Sequence, residues 1–249
     1  MQQYFLAEQL SETASSFRLD KADSHHLFTV LRAQAGMKVQ VVFADQTLIL
    51  AQVNEDLATL SYLETLSRKI ELPVNVTIAV GLPKGDKLEF IAQKVTELGA
   101  FDLLAFPAKW SVTRLDAKKA AKKTERLQKI VKGAAEQSKR LRIPTVSILN
   151  QLANLTAMFK QYDQVLVAYE AAAKDGEASA FARVLASLDS QQKILVIFGP
   201  EGGISPEEVS TFTDLGAVTI GLGPRIMRAE TAPMYVLSAI SFYTELLGS

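Results

Sequence analysis

The chain has 249 residues, 48% hydrophobic and 22% charged, which are the proportions of a folded globular protein and not of a disordered, collagenous or coiled-coil one. That length suits one large domain or two modest ones. It contains no cysteine, which excludes disulfides, thiolate nucleophiles and cysteine-ligated metal centres. The opening residues Met1 to Glu8 have no basic stretch followed by an apolar run, and no segment reaches roughly 18 charge-free apolar residues; the expectation is a cytoplasmic protein without membrane contact.

Lysine plus arginine and aspartate plus glutamate both number 27, and a net charge of zero at first discourages a nucleic-acid partner. The distribution reverses that impression. Lys109, Arg114, Lys118, Lys119, Lys122, Lys123, Arg126, Lys129, Lys132, Lys139, Arg140 and Arg142 face only Asp116, Glu125 and Glu136 within 109–142, a local excess of nine positive charges that the remainder of the chain cancels. Such a segment can present a basic surface to phosphates. It can equally be a solvated helix face, since lysine is a good exposed helix former.

In chain order, the spacing predicts a short helix over Asp23 to Arg32, stopping near Gly36. Hairpin-spaced strands follow at Lys38 to Phe43, Thr47 to Val53 and Leu57 to Leu63, which together suggest a small barrel. The polar stretch Ser67 to Pro73 precedes a change of pattern, so the domain boundary is placed there, giving domains 1–72 and 73–249. After it, apolar runs at Val74 to Val80, Phe101 to Phe106, Val165 to Tyr169, Ile194 to Phe198 and Ala217 to Leu222 alternate with helices, the pattern of an α/β domain on a largely parallel sheet. Asp86 with Glu89 reads as a capping box for a helix ended by Gly99, and Ser205, Pro206 and Glu208 read as another. Thr231 to Leu247 carries Met234, Leu237, Ile240 and Leu247 at helical spacing, as an interface helix would.

Two glycine-proline loops follow buried strands: Phe198-Gly199-Pro200-Glu201-Gly202-Gly203 and Gly221-Leu222-Gly223-Pro224-Arg225-Ile226-Met227-Arg228-Ala229-Glu230-Thr231. Ligands of α/β sheets bind beyond the carboxyl ends of strands, where glycine lets the backbone approach closely. Neither loop fits the dinucleotide or phosphate-loop fingerprint. Each alone also reads as a tight turn without a ligand. The adjacent His25 and His26 cannot both face one metal from a helix, and no carboxylate sits at ligand spacing, so no metal site is expected. Trp110, at the head of the basic segment, reads as a core residue or as an aromatic at the edge of a site, where it could stack on a base.

Gly199 to Gly203 and Leu222 to Ala232 closely resemble the motifs of the RsmE family, SPOUT-class methyltransferases that act on N3 of a uridine in 16S ribosomal RNA. The resemblance extends along the whole chain, through Ser24 to Leu27 with Val30-Leu31-Arg32, Lys84 to Lys87 with Gln93 to Gly99, and Ala134 to Arg140 with Pro144. Two departures stand out. Gln2-Gln3-Tyr4-Phe5 lacks the arginine usual before the aromatic pair, and Lys109-Trp110-Ser111-Val112 replaces an Arg-Ser pair.

The resemblance implies a PUA-like RNA-binding barrel followed by a SPOUT α/β domain with a deep trefoil knot that holds S-adenosyl-L-methionine, acting as a homodimer on 16S rRNA within the small ribosomal subunit. It assigns the cofactor to Tyr169, Glu170, Phe198, Gly199, Pro200, Glu201, Gly202, Gly203, Leu222, Gly223, Ile226, Met227, Arg228, Thr231 and Ala232. RNA contacts are expected at His25, Arg32, Lys84, Lys139, Arg140 and Arg142. Methylating uracil N3 requires that the anion, with charge spread onto O2 and O4, be favoured. Arg225 and Arg228 can supply fixed donors to those oxygens, with Glu230 as a proton acceptor. The arginines can instead bind phosphate or pair with Glu230. A non-catalytic RNA-binding or ribosome-assembly protein is the alternative, against which the intact glycine loops speak.

Overall fold

The computed structural model describes residues 1–10, 16–169 and 178–247, with the side chains of 178 and 179 excepted. The chain divides into two compact units, one of residues 1–71 with 135–143, the other of 72–134 with 144–249.

In the first unit, β1 (Gln3–Phe5), β2 (Ser16–Phe17), β3 (Lys38–Val42), β4 (Leu48–Val53) and β5 (Leu60–Leu66) form a mixed half-barrel in the order β1-β3-β4-β5-β2. Only the β1–β3 pairing is parallel. Alternate residues Val39 and Val41 of β3, and Ile49, Ala51 and Val53 of β4, turn inward to meet Tyr4, Leu27 and Leu60, the period-two signature of a strand with one face on a core. Helix α1 (Lys21–Ser24) starts earlier than the spacing suggests. Its cap is Asp20, whose side chain accepts from the Asp23 N–H at 2.8 Å. It runs into a wide π-type turn, His25–Val30, closed by Leu31 N–H to His26 O at 2.9 Å, that drives Leu27 into the core.

Residues 135–143, which the sequence places in the larger domain, cluster instead with this unit. Arg140 is the reason. Only 3% exposed, it sets its guanidinium on the Glu71 carboxylate, with Nε 3.1 Å from Oε2. Glu71 Oε1 also accepts the Leu141 N–H at 2.8 Å, and Gln3 Nε2 donates to the Arg140 carbonyl at 2.6 Å. A buried arginine needs such complete pairing to be tolerated.

The second unit is built on six parallel strands: β6 (Asn75–Gly81), β7 (Asp102–Phe106), β8 (Thr145–Ile148), β9 (Gln164–Ala168), β10 (Lys193–Phe198) and β11 (Val218–Ile220), ordered β11-β9-β10-β6-β7-β8. The register sets Phe198 beside Val80, Ile197 beside Val167 and Ile220 beside Ala168, so β9, β10 and β11 end together. Helices α2 (Lys87–Glu97), α3 (Ala117–Gln137), α4 (Leu152–Ala157), α5 (Ala178–Ala186), α6 (Pro206–Asp214) and α7 (Thr231–Ser241), with a 3-10 turn at Phe159–Gln161 and a π-type segment at Phe242–Leu247, complete the described elements.

Ser205 forms its capping box with Glu208, but Asp86 makes no side-chain cap bond. Helix α2 stops as expected before Gly99, at φ +91°, where a Cβ would lie 2.8 Å from the Leu72 side chain. In α7, Leu237 and Ile240 are buried within this chain and the helix packs on α2. The expected interface stripe is therefore partly core, and the exposed apolar side chains at this end of the chain are Tyr235, Phe242, Leu246 and Leu247. No helix among the described residues is long and apolar enough to cross a membrane.

Candidate functional site

The two glycine loops converge where β9, β10 and β11 end, on a cavity of about 790 Å³, within the range of roughly 300–1,000 Å³ usual for ligand pockets. One wall is Phe198 to Gly203, the other Leu222 to Ala229 with Ala232, and Ala168 and Tyr169 close it from β9. Of the residues expected to hold a cofactor, Tyr169, Phe198, Gly199, Pro200, Glu201, Gly202, Gly203, Leu222, Gly223, Ile226, Met227, Arg228 and Ala232 line it. Thr231 does not; its N–H folds back on the Arg228 carbonyl at 2.9 Å as α7 begins. Glu170 lies outside the described residues.

Backbone approach explains the glycines. A Cβ on Gly199 would stand 2.4 Å from the Gly203 carbonyl carbon and 2.7 Å from the Ile204 nitrogen. Gly81, ending β6, lets Pro200 come within 2.4 Å of where its own Cβ would be. The turn is closed by the Gly203 N–H on the Pro200 carbonyl at 2.8 Å. Gly223, at φ +93°, adopts a left-handed backbone with open space where a Cβ would be.

One participant had no expected role. Lys87, at the start of α2, lines the cavity and places Nζ 2.9 Å from Glu201 Oε1 and 3.3 Å from Glu230 Oε2. The Glu201 hydrogen bond, helped by Glu230, raises the Lys87 pKa above its ordinary value. Burial pushes Glu201 up, but the Lys87 bond and backbone N–H groups outweigh it and hold the carboxyl below its usual range. The Lys84 N–H also reaches Glu201 Oε1, at 3.1 Å. Glu230 therefore pairs with a lysine rather than with Arg225 or Arg228, and its buried Oε2 has no hydrogen-bond partner beyond this ionic contact. Arg225 and Arg228 are exposed on the cavity wall without a side-chain partner among the described residues, and Ile226 between them is 78% exposed. The arrangement offers backbone groups and apolar surface to a cofactor, and two guanidiniums to an anionic co-reactant.

Trp110 rests on the glycine loop. A Cβ on Gly202 would lie 3.0 Å from Trp110 Cβ. The loop carrying it is tied to the start of α6 by the Lys109 N–H on Glu208 Oε1 at 2.7 Å and by Lys109 Nζ on Glu207 at 3.0 Å.

Among the expected RNA contacts, Lys84 is exposed beside the cavity loop. His25, Arg32, Lys139, Arg140 and Arg142 belong to the first unit. His25 and Arg32 are exposed, as is the neighbouring His26, which also shares a 3.1 Å hydrogen bond with the Tyr4 hydroxyl. Arg140 is buried on Glu71, so its guanidinium anchors its own loop, and Lys139 Nζ donates to the Met1 carbonyl at 2.8 Å. Among the described residues no group of three or more histidine, aspartate or glutamate side chains could hold a metal.

Comparison with known proteins agrees with this architecture. Residues 70–241 match the model of an RNA methyltransferase domain and residues 19–61 that of an RNA methyltransferase PUA domain. The chain is 45% identical to the ribosomal RNA small subunit methyltransferase E of Bacillus subtilis (strain 168), over 99% of this chain and 98% of the relative. A crystal structure described as a hypothetical protein superposes with a TM-score of 0.91 at 41% identity, covering 99% of this chain and all (100%) of that one. The ribosomal RNA small subunit methyltransferase E of Neisseria gonorrhoeae, solved bound to S-adenosyl methionine, gives 0.79 at 26% identity, covering 97% of each chain. With a family model spanning most of its length and a close relative matched end to end, the chain belongs to the ribosomal RNA small subunit methyltransferase E family.

Proposed function

We propose that this protein transfers a methyl group from S-adenosyl-L-methionine to N3 of a uridine in 16S rRNA of the small ribosomal subunit, working in the cytoplasm as a homodimer, with the glycine loops forming a trefoil knot. The observation that carries the reading is the cavity beyond β9, β10 and β11, walled by both glycine loops and rimmed by Arg225 and Arg228, which have no side-chain partner among the described residues. Family membership and the bound S-adenosyl methionine of the Neisseria gonorrhoeae relative support it.

The cavity fits the cofactor: Gly223 leaves open space on its wall, and Gly199 to Gly203 line it in a turn that has no room for a Cβ at Gly199. Leu222, Ile226 and Met227 supply apolar contact. When bound, the sulfonium donor supplies an electrophilic methyl group. The remaining work falls to side chains. Arg225 and Arg228 stabilise charge on uracil O2 and O4 as the N3 proton leaves, a preorganised electrostatic contribution. Glu230, expected as the proton acceptor, has its buried Oε2 on Lys87 Nζ at 3.3 Å and is not part of the cavity wall, so the N3 proton leaves to water instead. Holding N3 in line with the methyl group provides the proximity term.

The test is to incubate the protein with labelled S-adenosyl-L-methionine and small subunits, naked 16S rRNA or tRNA, and then map the label. Label on uridine N3 in 16S rRNA is expected; label on a cytidine or a ribose oxygen, or on tRNA alone, refutes the assignment.

A further inference from the structure

Most of the cations between 109 and 142 are already engaged. Lys109 pairs with Glu207, Lys119 with Asp116 and Lys129 with Glu125, and Lys123 and Arg126 share Glu89. Lys139 and Arg140 hold their own loop, and Lys132 and Arg142 have partners as well. Arg114, Lys118 and Lys122 are the exposed remainder, with no ion pair or side-chain hydrogen bond among the described residues. Lys118 and Lys122 share a face of α3, one turn apart, and Arg114 lies just before that helix. The uncompensated charge thus gathers at the start of α3.

A second cavity, of about 270 Å³, opens at the same place. Leu82, Pro107 and Leu115 give it apolar walls, Asn150 and Gln151 bring amides, and Arg114 supplies a cation. It sits where β6, β7 and β8 end, on the end of the sheet that carries the first cavity beyond β9, β10 and β11. Apolar walls with amides and a guanidinium match a nucleobase with its flat faces, polar edge and phosphate. The volume lies just below the usual range of ligand pockets and is enough to admit a single base. The loop from Pro107 to Leu115 joins the two places. Near its start Trp110, 44% exposed, packs on Gly202, while its end lines the second cavity. Thr113 Oγ1 bonded to the Pro83 carbonyl at 2.8 Å and the Lys109 ties keep it fixed.

We propose that this second cavity is a nucleotide subsite for the RNA strand flanking the target base, with a phosphate on Arg114 and the intervening nucleotides crossing Trp110. The inference rests on the donor cavity serving RNA methylation. Three strand spacings separate the middles of the two groups of strands, about 14 Å, which about four stacked nucleotides, or fewer splayed ones, cover.

Trp110 is the only tryptophan in the chain, so its fluorescence reports a strand crossing the loop. The full-length protein is titrated with a short uridine-rich oligoribonucleotide and, separately, with uridine monophosphate, while methylation of small subunits is followed in parallel. Quenching is expected with the oligonucleotide at far lower concentration than with the mononucleotide. Arg114→Ala should weaken oligonucleotide binding about tenfold and reduce its salt slope by about one. Asn150→Tyr, which fills the cavity without changing charge, should weaken binding without altering the slope. Lys129→Ala, an equal charge loss at a paired site, should change little. S-adenosyl-L-methionine affinity should hold in all three. Wild-type binding by Arg114→Ala or Asn150→Tyr, an equal loss in Lys129→Ala, or mononucleotide binding as tight as oligonucleotide binding would overturn the subsite. Wild-type protein that binds the oligonucleotide as described but leaves small subunits unmethylated would sink the proposed reaction and leave the subsite standing.

Discussion

Gly199→Ala is the most direct probe of the loop that shapes the donor cavity. The added Cβ would lie 2.4 Å from the Gly203 carbonyl carbon, 2.8 Å from Gly203 Cα and 2.7 Å from the Ile204 nitrogen, all backbone atoms that no rotamer change can move. Ordinary contact begins near 3.4 Å, so the turn must open by about 1 Å. It cannot slide toward β6, because Pro200 already fills the space left by Gly81. Overpacking of this kind costs about 1–3 kcal/mol, and the backbone groups facing the cavity move with the loop. A lower urea midpoint is expected, together with a loss of S-adenosyl-L-methionine affinity of at least about tenfold, or roughly 1.4 kcal/mol, measured by calorimetric titration. Gly216→Ala is the control. Gly216 has φ +92° just after α6 with nothing within 4 Å of a Cβ, so alanine there imposes only backbone strain, about 1–2 kcal/mol. It should destabilise the fold without changing donor affinity. Unchanged affinity in Gly199→Ala, or an equal loss in Gly216→Ala, would refute the steric reasoning.

Arg228→Ala should lower kcat far more than donor affinity in steady-state and binding assays, since an oxyanion contact acts in the transition state; equal losses would count against that role. Lys87→Met should move the Glu201 carboxyl upward toward 4.5 in a carbon-detected NMR titration. Because Glu201 is lowered in the fold, the clamp contributes above pH 4.5 and is lost as pH falls through the lowered value; because Lys87 is raised, it is lost again only as pH climbs above 10.5 through the raised value. An unmoved Glu201 titration would contradict the assignment. Glu71→Ala strands the buried Arg140 guanidinium and should cost about 3–5 kcal/mol by chemical denaturation, whereas a change under about 1 kcal/mol would mean that water replaces the carboxylate.

The strands most legible in the sequence are those covered on both faces. β6 and β10 read as mainly apolar runs because, past their first residues, both faces are buried. β8, Thr145–Ile148, is not legible because it is a short edge strand with mixed burial and polar alternate residues. α4 and α5 are too short, at 6 and 9 residues, to show a helical period clearly. Ser205 declared its cap locally, whereas Asp86 offered the same letters without the bond, since the backbone angles at the cap decide. The cavity walls were legible because glycine and proline mark the turns. Lys87 was not: its partners Glu201 and Glu230 stand more than a hundred positions away, and pairings at that distance leave no trace in local pattern. Arg140 misled for the same reason, its burial being set by Glu71.

The strand order also bears on when the site can exist. The cavity is assembled wholly from the end of the chain, apart from Lys87, because β11 pairs with β9 and the second loop follows β11. Synthesis delivers the N-terminal parts first, at about 5–20 residues per second. A nascent or truncated chain can therefore fold its half-barrel and begin its sheet while having no place for the cofactor. Binding competence appears only with the last few dozen residues, and by mass action the cofactor stabilises finished molecules alone.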